Sequence, residues 1–130
     1  MNYGEKASEL KKSMNCGQSV IVALSDLANL DEAQAKAMGT AMGGGLRCGE
    51  ACGAFVGGAL ALGLAVGADG RGSPDSPVAA VTKQYAEDFK TKFGAIRCAD
   101  LMAINGGDKS VCNGYCAWCA EHVAGIIEEK

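Results

Sequence analysis

A chain of 130 residues has room for one compact domain spanning residues 1–130, and 12 Lys and Arg against 15 Asp and Glu give a formal charge of −3, without the basic surplus that binding nucleic acid demands. Its 22 alanines and 19 glycines outnumber 16 scattered Thr, Val and Ile residues, which excludes a strand-rich fold and predicts an all-α, Gly/Ala-rich bundle of five to six helices. Seven cysteines beside only 5% aromatic residues make thiol chemistry the dominant signal.

Apolar residues recur at helical spacing from about Glu5 to Leu27, behind a charged start whose lysines and glutamates form a solvated face. Asp31, with Gln34 three residues on, reads as the N-cap of a second helix that runs to about Met42, where Gly43-Gly44-Gly45 stops it. A third helix is expected from Leu46 to Val66, followed by a loop from Gly67 to Ser76 broken by Gly70, Gly72 and Pro74. Helices are then predicted over Pro77–Phe93 with Gly94 as C-cap, over Cys98–Ile104, and, after a turn at Asn105-Gly106-Gly107, over Ser110–Glu128. The stretch Ala51 to Ala68 carries no charge, but 11 of its 18 residues are Gly or Ala, which suits a central buried helix better than a membrane span. Its small residues at Gly53/Gly57, Ala54/Gly58 and Ala59/Gly63, each four apart, offer a packing face, and a homodimer is expected there.

Residues Met1 to Lys12 show no apolar segment of a secretory signal, so a cytoplasmic location is expected. Structural disulfides are disfavoured in that compartment, and an odd number of cysteines cannot all pair within one chain. Cys112, Cys116 and Cys119, at i, i+4 and i+7, project within an arc of roughly 60° on one helix face. Cys48 and Cys52, also four apart, are expected in the opening turns of the Gly-rich helix, where its dipole and Arg47 favour thiolate. Cys16 and Cys98 stand alone. Buried cysteine is often a small hydrophobe, yet five thiols phased by helical spacing are poorly explained as core filling.

The segment Cys52-Gly53-Ala54-Phe55-Val56-Gly57 resembles the C-G-A-x-x-G motif of the C_GCAxxG_C_C family of redox-active proteins. Asn15-Cys16-Gly17-Gln18-Ser19-Val20 is similar to that family's first cysteine segment, and Gly43-Gly44-Gly45 to its Gly-rich stretch. Cys98 is similar to its third cysteine and Cys112 to its fourth, so the resemblance runs from about Asn15 to Glu129. Related sequence occurs in split-Soret cytochromes c, dimeric helical proteins with haem and an iron–sulfur cluster. Ala120 follows Cys116-Ala117-Trp118-Cys119 where haem attachment needs His, so no haem is expected. The resemblance implies an iron–sulfur cluster; Cys52, Cys98 and Cys112, which match the pattern and lie near helix ends, rank first as ligands, with Cys16, matched but inside the first helix, and Cys116 next. Cys48, Cys116 and Cys119 are additions to the family's four.

Independently of the resemblance, iron–sulfur clusters are held by thiolates, usually four, whose charge backbone N–H dipoles offset. Gly49, Gly53 and Gly57 are expected to leave room for an inorganic core, or to serve close helix packing. A structural zinc site at Cys112, Cys116, Cys119 and His122 needs only four ligands where seven thiols are present. A metal-free thiol–disulfide oxidoreductase is the other alternative, since Cys116 and Cys119 have C-x-x-C spacing, but no βαβ pattern surrounds them. One histidine leaves no Ser-His-Asp or Cys-His arrangement for hydrolysis, and Gly43-Gly44-Gly45 lacks the Lys-Ser/Thr of a phosphate loop. The expected protein is therefore a cytoplasmic, homodimeric iron–sulfur protein that transfers electrons to a redox partner or senses redox state, without nucleic acid or a membrane span.

Overall fold

The computed structural model describes residues 1–67 and 72–129. Part of the predicted loop from Gly67 to Ser76 lies outside the described residues. Among the described residues there are seven α-helices: α1 (Tyr3–Leu10), α2 (Cys16–Ala23), α3 (Glu32–Met38), α4 (Gly53–Val66), α5 (Pro77–Phe93), α6 (Cys98–Ile104) and α7 (Cys112–Glu128). The all-α expectation holds, with seven helices rather than five to six. None is long and apolar enough to cross a membrane.

The extra helix arises where one was predicted from Glu5 to Leu27. Asn15 interrupts it by adopting an extended conformation and building a capping box: its side chain accepts from the Gln18 amide at 2.9 Å while its own N–H donates to Gln18 Oε1 at 3.1 Å. The chain therefore restarts, and Cys16 becomes the first residue of α2. Asp31 caps α3 by accepting from the Gln34 amide, as its sequence position predicts, and a 3-10 turn, Gly39–Ala41, follows before the glycines.

The larger departure lies between Gly44 and Cys52, where a helix from Leu46 was predicted. Gly44 (φ 61°, ψ 33°), Leu46 (φ 59°, ψ 35°) and Arg47 (φ 63°, ψ 11°) are left-handed, and Gly45 shares the positive φ. For Leu46 and Arg47 this conformation costs about 1–2 kcal/mol each, so neighbours must hold it. A Cβ on Gly45 would lie 2.6 Å from Cys98 Cβ and 2.8 Å from the Glu50 amide nitrogen, so the turn is wedged against the start of α6. Beyond it, Ala51 forms an isolated antiparallel bridge with Arg97; the Cys52 amide donates to the Ile96 carbonyl at 2.8 Å and the Cys98 amide to the Glu50 carbonyl at 2.7 Å. Helix α4 thus begins at Gly53, and Cys48 and Cys52 do not share a helical face.

The core gathers Val20 and Leu24 of α2, Leu62 of α4, Tyr85 and Phe89 of α5, Leu101 of α6 and Val123 of α7, all buried. Helix α4 packs on α2 and α7, and α1 lies along α7, where the Gly4 amide donates to Glu121 Oε1 at 2.7 Å. Gly53, Gly57 and Gly58 of α4 serve this packing and are not clearance for a cofactor. A Cβ on Gly53 would meet the Met42 carbonyl oxygen at 2.5 Å, and one on Gly57 the Gly17 carbonyl oxygen at 2.8 Å. The Gly53/Gly57 pair is consumed by α2 and its neighbouring turn, and Gly58 by Tyr85 and Val123. Gly49 has φ +74° and abuts Ala99, so it too serves the backbone.

A candidate thiol-rich metal centre

Three cysteines begin helices and a fourth caps one. Cys16 is the first residue of α2, Cys98 of α6 and Cys112 of α7, while Cys52 is the N-cap of α4. The capping box at Asn15 places Cys16, and the isolated Ala51–Arg97 bridge ties the backbone at Cys52 to that at Cys98, with the two cysteines on opposite sides of the bridged pair. Cys112 follows a 3-10 turn, Lys109–Val111, whose Asp108 accepts from Ser110.

Hydrogen bonding and charge link these cysteines in pairs. The Cys16 thiol is pulled down by its hydrogen bond with Cys112, but the hydrogen bond with Cys116, burial and the Cys116 charge outweigh this and push it up to about 12. Cys112 lies well above the ordinary thiol range because of its hydrogen bond with Cys16, burial and the charge of Cys16, against the pull of Lys11 and Lys109. Burial, with the charges of Cys16 and Cys112, pushes Cys52 up to about 12. Its sulfur completes no cap hydrogen bond, yet the backbone amides of Phe55 and Ala54 still favour its thiolate. Cys98 is raised by burial and by Cys112, and lowered by Lys109. Cys52, Cys98 and Cys112 are each destabilised as anions by at least one neighbouring thiol of the group, as like charges close together must be.

Cys116 and Cys119 continue the stripe along α7, as their spacing predicts, but both are fully buried. The Cys116 thiol donates to the Cys16 carbonyl at 3.8 Å, which keeps it within the group. Cys119 lies deeper, against Tyr85: burial holds its pKa well above the ordinary range, and the Tyr85 hydroxyl, which donates to the Phe55 carbonyl at 3.0 Å, opposes the shift. Cys48 is exposed on the left-handed turn, its thiol 3.6 Å from the Gly45 carbonyl. His122 turns away from the stripe: its Nε2 lies 3.0 Å from Asp88 Oδ2 and its ring stacks on Trp118 at 4.3 Å. The zinc set Cys112, Cys116, Cys119 and His122 is therefore not assembled. Among the described residues, no three His, Cys, Asp or Glu side chains stand at the spacing that grips a single ion.

A cavity of about 230 Å³ opens at the thiol end, lined by Cys16, Cys98 and Cys112 together with Lys11, Arg47 and Lys109. Sequence reasoning set Arg47 beside Cys48 and Cys52 but missed Lys11 and Lys109, which lie far apart along the chain. A larger cavity, about 490 Å³, lies between α5 and α7 around Asp88 and His122, and no cysteine lines it. The thiol cavity is the better candidate because the reactive groups face it.

The family described as "Putative redox-active protein (C_GCAxxG_C_C)" matches residues 14–130. No curated protein and no solved structure matches the chain. The match includes all four helix-starting or helix-capping cysteines as well as Cys48, Cys116 and Cys119, and covers most of the chain, which therefore belongs to the C_GCAxxG_C_C family.

Proposed function

We propose that the protein holds an iron–sulfur cluster through Cys16, Cys52, Cys98 and Cys112, with Cys116 the nearest further thiol, and works in electron transfer or redox sensing. The observation that carries this reading is the gathering of Cys16, Cys98 and Cys112, each the first residue of its own helix, around one cavity, with the buried Cys52 linked by charge to Cys16 and Cys112. A cationic iron core relieves the resistance of these thiols to ionisation, since a coordinating thiol is deprotonated outright. The donor chemistry fits: a cluster is held by thiolates and carries its own bridging sulfides, so its ligands stand farther apart than those of one zinc ion. Bound by these thiols, the cluster supplies one-electron redox capacity; the chain supplies the ligands, the half-buried setting and the nearby cations.

Metal-free thiol–disulfide exchange is disfavoured by the same shifts, because the thiolate is the nucleophile and Cys16 and Cys52 are pushed up to about 12. The reading further includes a cytoplasmic location, a redox partner protein and a homodimer. The outward side of α4 supports the last: Leu60 and Leu64 are 36% and 51% exposed, and a Cβ on Gly63 would meet nothing within 4 Å.

Protein purified without oxygen, measured for visible absorption, iron and sulfide, tests the proposal. Brown protein is expected, losing most of its iron in Cys16→Ser, Cys52→Ser, Cys98→Ser and Cys112→Ser and keeping it in Cys48→Ser and Cys119→Ala. Colourless protein with stoichiometric zinc, or full iron in Cys52→Ser with loss in Cys48→Ser, overturns it.

A further inference from the structure

The thiol cavity is lined by thiols and cations together: Cys16, Cys98 and Cys112 with Lys11, Arg47 and Lys109, beside the bare backbone of Gly43 and Gly44. Three cations gathered on a protein of net charge −3 call for a reason. Ion pairing within the chain is not that reason: among the described residues the salt bridges are Lys12–Glu9, Lys90–Glu87, Arg97 with Glu50 and Asp100, and His122–Asp88. Lys11, Arg47 and Lys109 take part in none of them.

Arg47 is held in place at some expense to the backbone. Its left-handed conformation folds the guanidinium back so that Nη2 donates to the Thr40 carbonyl at 2.9 Å. A Cβ on Gly43 would lie 3.0 Å from Nη1, so glycine there makes room for the charge. A Cβ on Gly44 would meet nothing within 4 Å, which leaves that side of the turn open. Strained non-glycine backbone, a glycine and a hydrogen bond all serve to fix one guanidinium at the cavity, the pattern expected where strain serves a site. Guanidinium is the group suited to bidentate recognition of carboxylates and other oxyanions.

We propose that this cavity mouth is an anion-binding site, at which Arg47, supported by Lys11 and Lys109, brings a small carboxylate or oxyanion ligand to the edge of the thiol centre. The inference rests on the proposed function in taking the cluster as the neighbour of that ligand. The cations themselves belong to the chain whether or not iron is bound. A small ligand is favoured over a protein surface because the cations line a concavity, with Lys11 half-buried.

The test titrates protein with inorganic phosphate at fixed ionic strength, potassium chloride making up the balance. Two signals are followed: the electron paramagnetic resonance of the reduced, iron-loaded protein, and the amide resonances of Gly43 and Gly44 in iron-free protein. Saturable shifts in the millimolar range are expected, weakened at least tenfold in Arg47→Gln and severalfold in Lys109→Met, with Lys36→Met unchanged. Lys109 is exposed, so its variant keeps the test sound if Arg47→Gln disturbs the turn. Protein that takes up no iron overturns the cluster reading, while the iron-free resonances still decide the anion site. Phosphate shifts that never saturate, or that Arg47→Gln and Lys109→Met leave unaltered, overturn the site. A hexaglutamate peptide binding more than tenfold tighter than phosphate at equal ionic strength would replace the small ligand with an acidic partner and so overturn the proposal.

Discussion

Gly57→Ala and Gly63→Ala place the same methyl group on the same helix with opposite consequences. Both sites lie inside α4 at ordinary helical φ, so each variant gains about 1 kcal/mol of helix propensity over glycine. At Gly63 the new Cβ meets nothing within 4 Å, and the gain stands undiminished. At Gly57 it meets the Gly17 carbonyl oxygen at 2.8 Å and Val20 Cβ at 3.3 Å, where ordinary contact begins at 3.4 Å. Helices α2 and α4 must then part by about 0.6 Å, since a backbone oxygen cannot rotate away. Overpacking of this kind costs typically about 1–3 kcal/mol, and the rigid neighbour argues for the upper half of that range. Propensity cancels between the two variants, so their difference isolates the clash at about 2–3 kcal/mol, or roughly 10 °C in Tm for a chain of this size. Thermal unfolding of both variants as iron-free, reduced protein reads it directly. Because Gly17 follows Cys16 and Cys52 caps α4, Gly57→Ala is also expected to lower iron content. Equal Tm values for the two variants would refute close α2–α4 approach as the reason for glycine at 57.

Tyr85→Phe removes a fully buried hydroxyl that donates to the Phe55 carbonyl at 3.0 Å and faces Cys119. A loss of about 1–2 kcal/mol in denaturant unfolding is expected, with iron content unchanged; iron loss without destabilisation would instead place Cys119 in the metal centre. The pH dependence of iron-free protein follows from Cys16 and Cys52, whose folded thiols sit at about 12, above the ordinary 9.0. A raised pKa makes the neutral thiol the folded-state form, so its stability is complete below about 9 and is lost as pH rises towards 12. Within that window each thiol costs at most about 1.4 kcal/mol per pH unit. Urea midpoints across this range should fall, and should fall less in Cys52→Ser; parallel slopes would contradict the burial of that thiol.

Local signals were legible where a residue acts on its own neighbours. Asp31 capping α3, Pro77 and Gly94 bounding α5 and the turn at Gly106 and Gly107 all depend on a few adjacent residues, and sequence position suffices to read them. The capping box at Asn15 was equally local, but the apolar periodicity running through it masked the break, and Cys16 was assigned to a helix interior. No local rule could reveal the turn at Gly44–Arg47. Leucine and arginine disfavour left-handed backbone, and here Gly45 packed on Cys98 and the Ala51–Arg97 bridge decide the outcome through residues about fifty positions away. For the same reason the stripe of Cys112, Cys116 and Cys119 was visible, whereas the pairing of Cys48 with Cys52 was not real.

The abundance of glycine and of cysteine in this chain meets at the thiol centre. Glycine at 17, 53 and 57 lets α2 approach α4 until backbone nearly touches backbone, and Cys16 and Cys52 stand at the starts of those two helices. Gly45 does the same for the turn against Cys98. Larger residues at these positions would hold the helix starts apart, and thiols that now shift one another's ionisation would become independent. Glycine therefore acts on the thiols indirectly: it leaves no open space at 53 or 57, but sets how closely the cysteine-bearing backbones come together. Cys48 shows the converse, since it lies beyond the Gly45 contact on an exposed turn and takes no part in the hydrogen-bonded thiol group. Cys16, Cys52 and Cys98 thus lie at glycine-packed helix starts, and Cys112 and Cys116 are joined to Cys16 by hydrogen bonds.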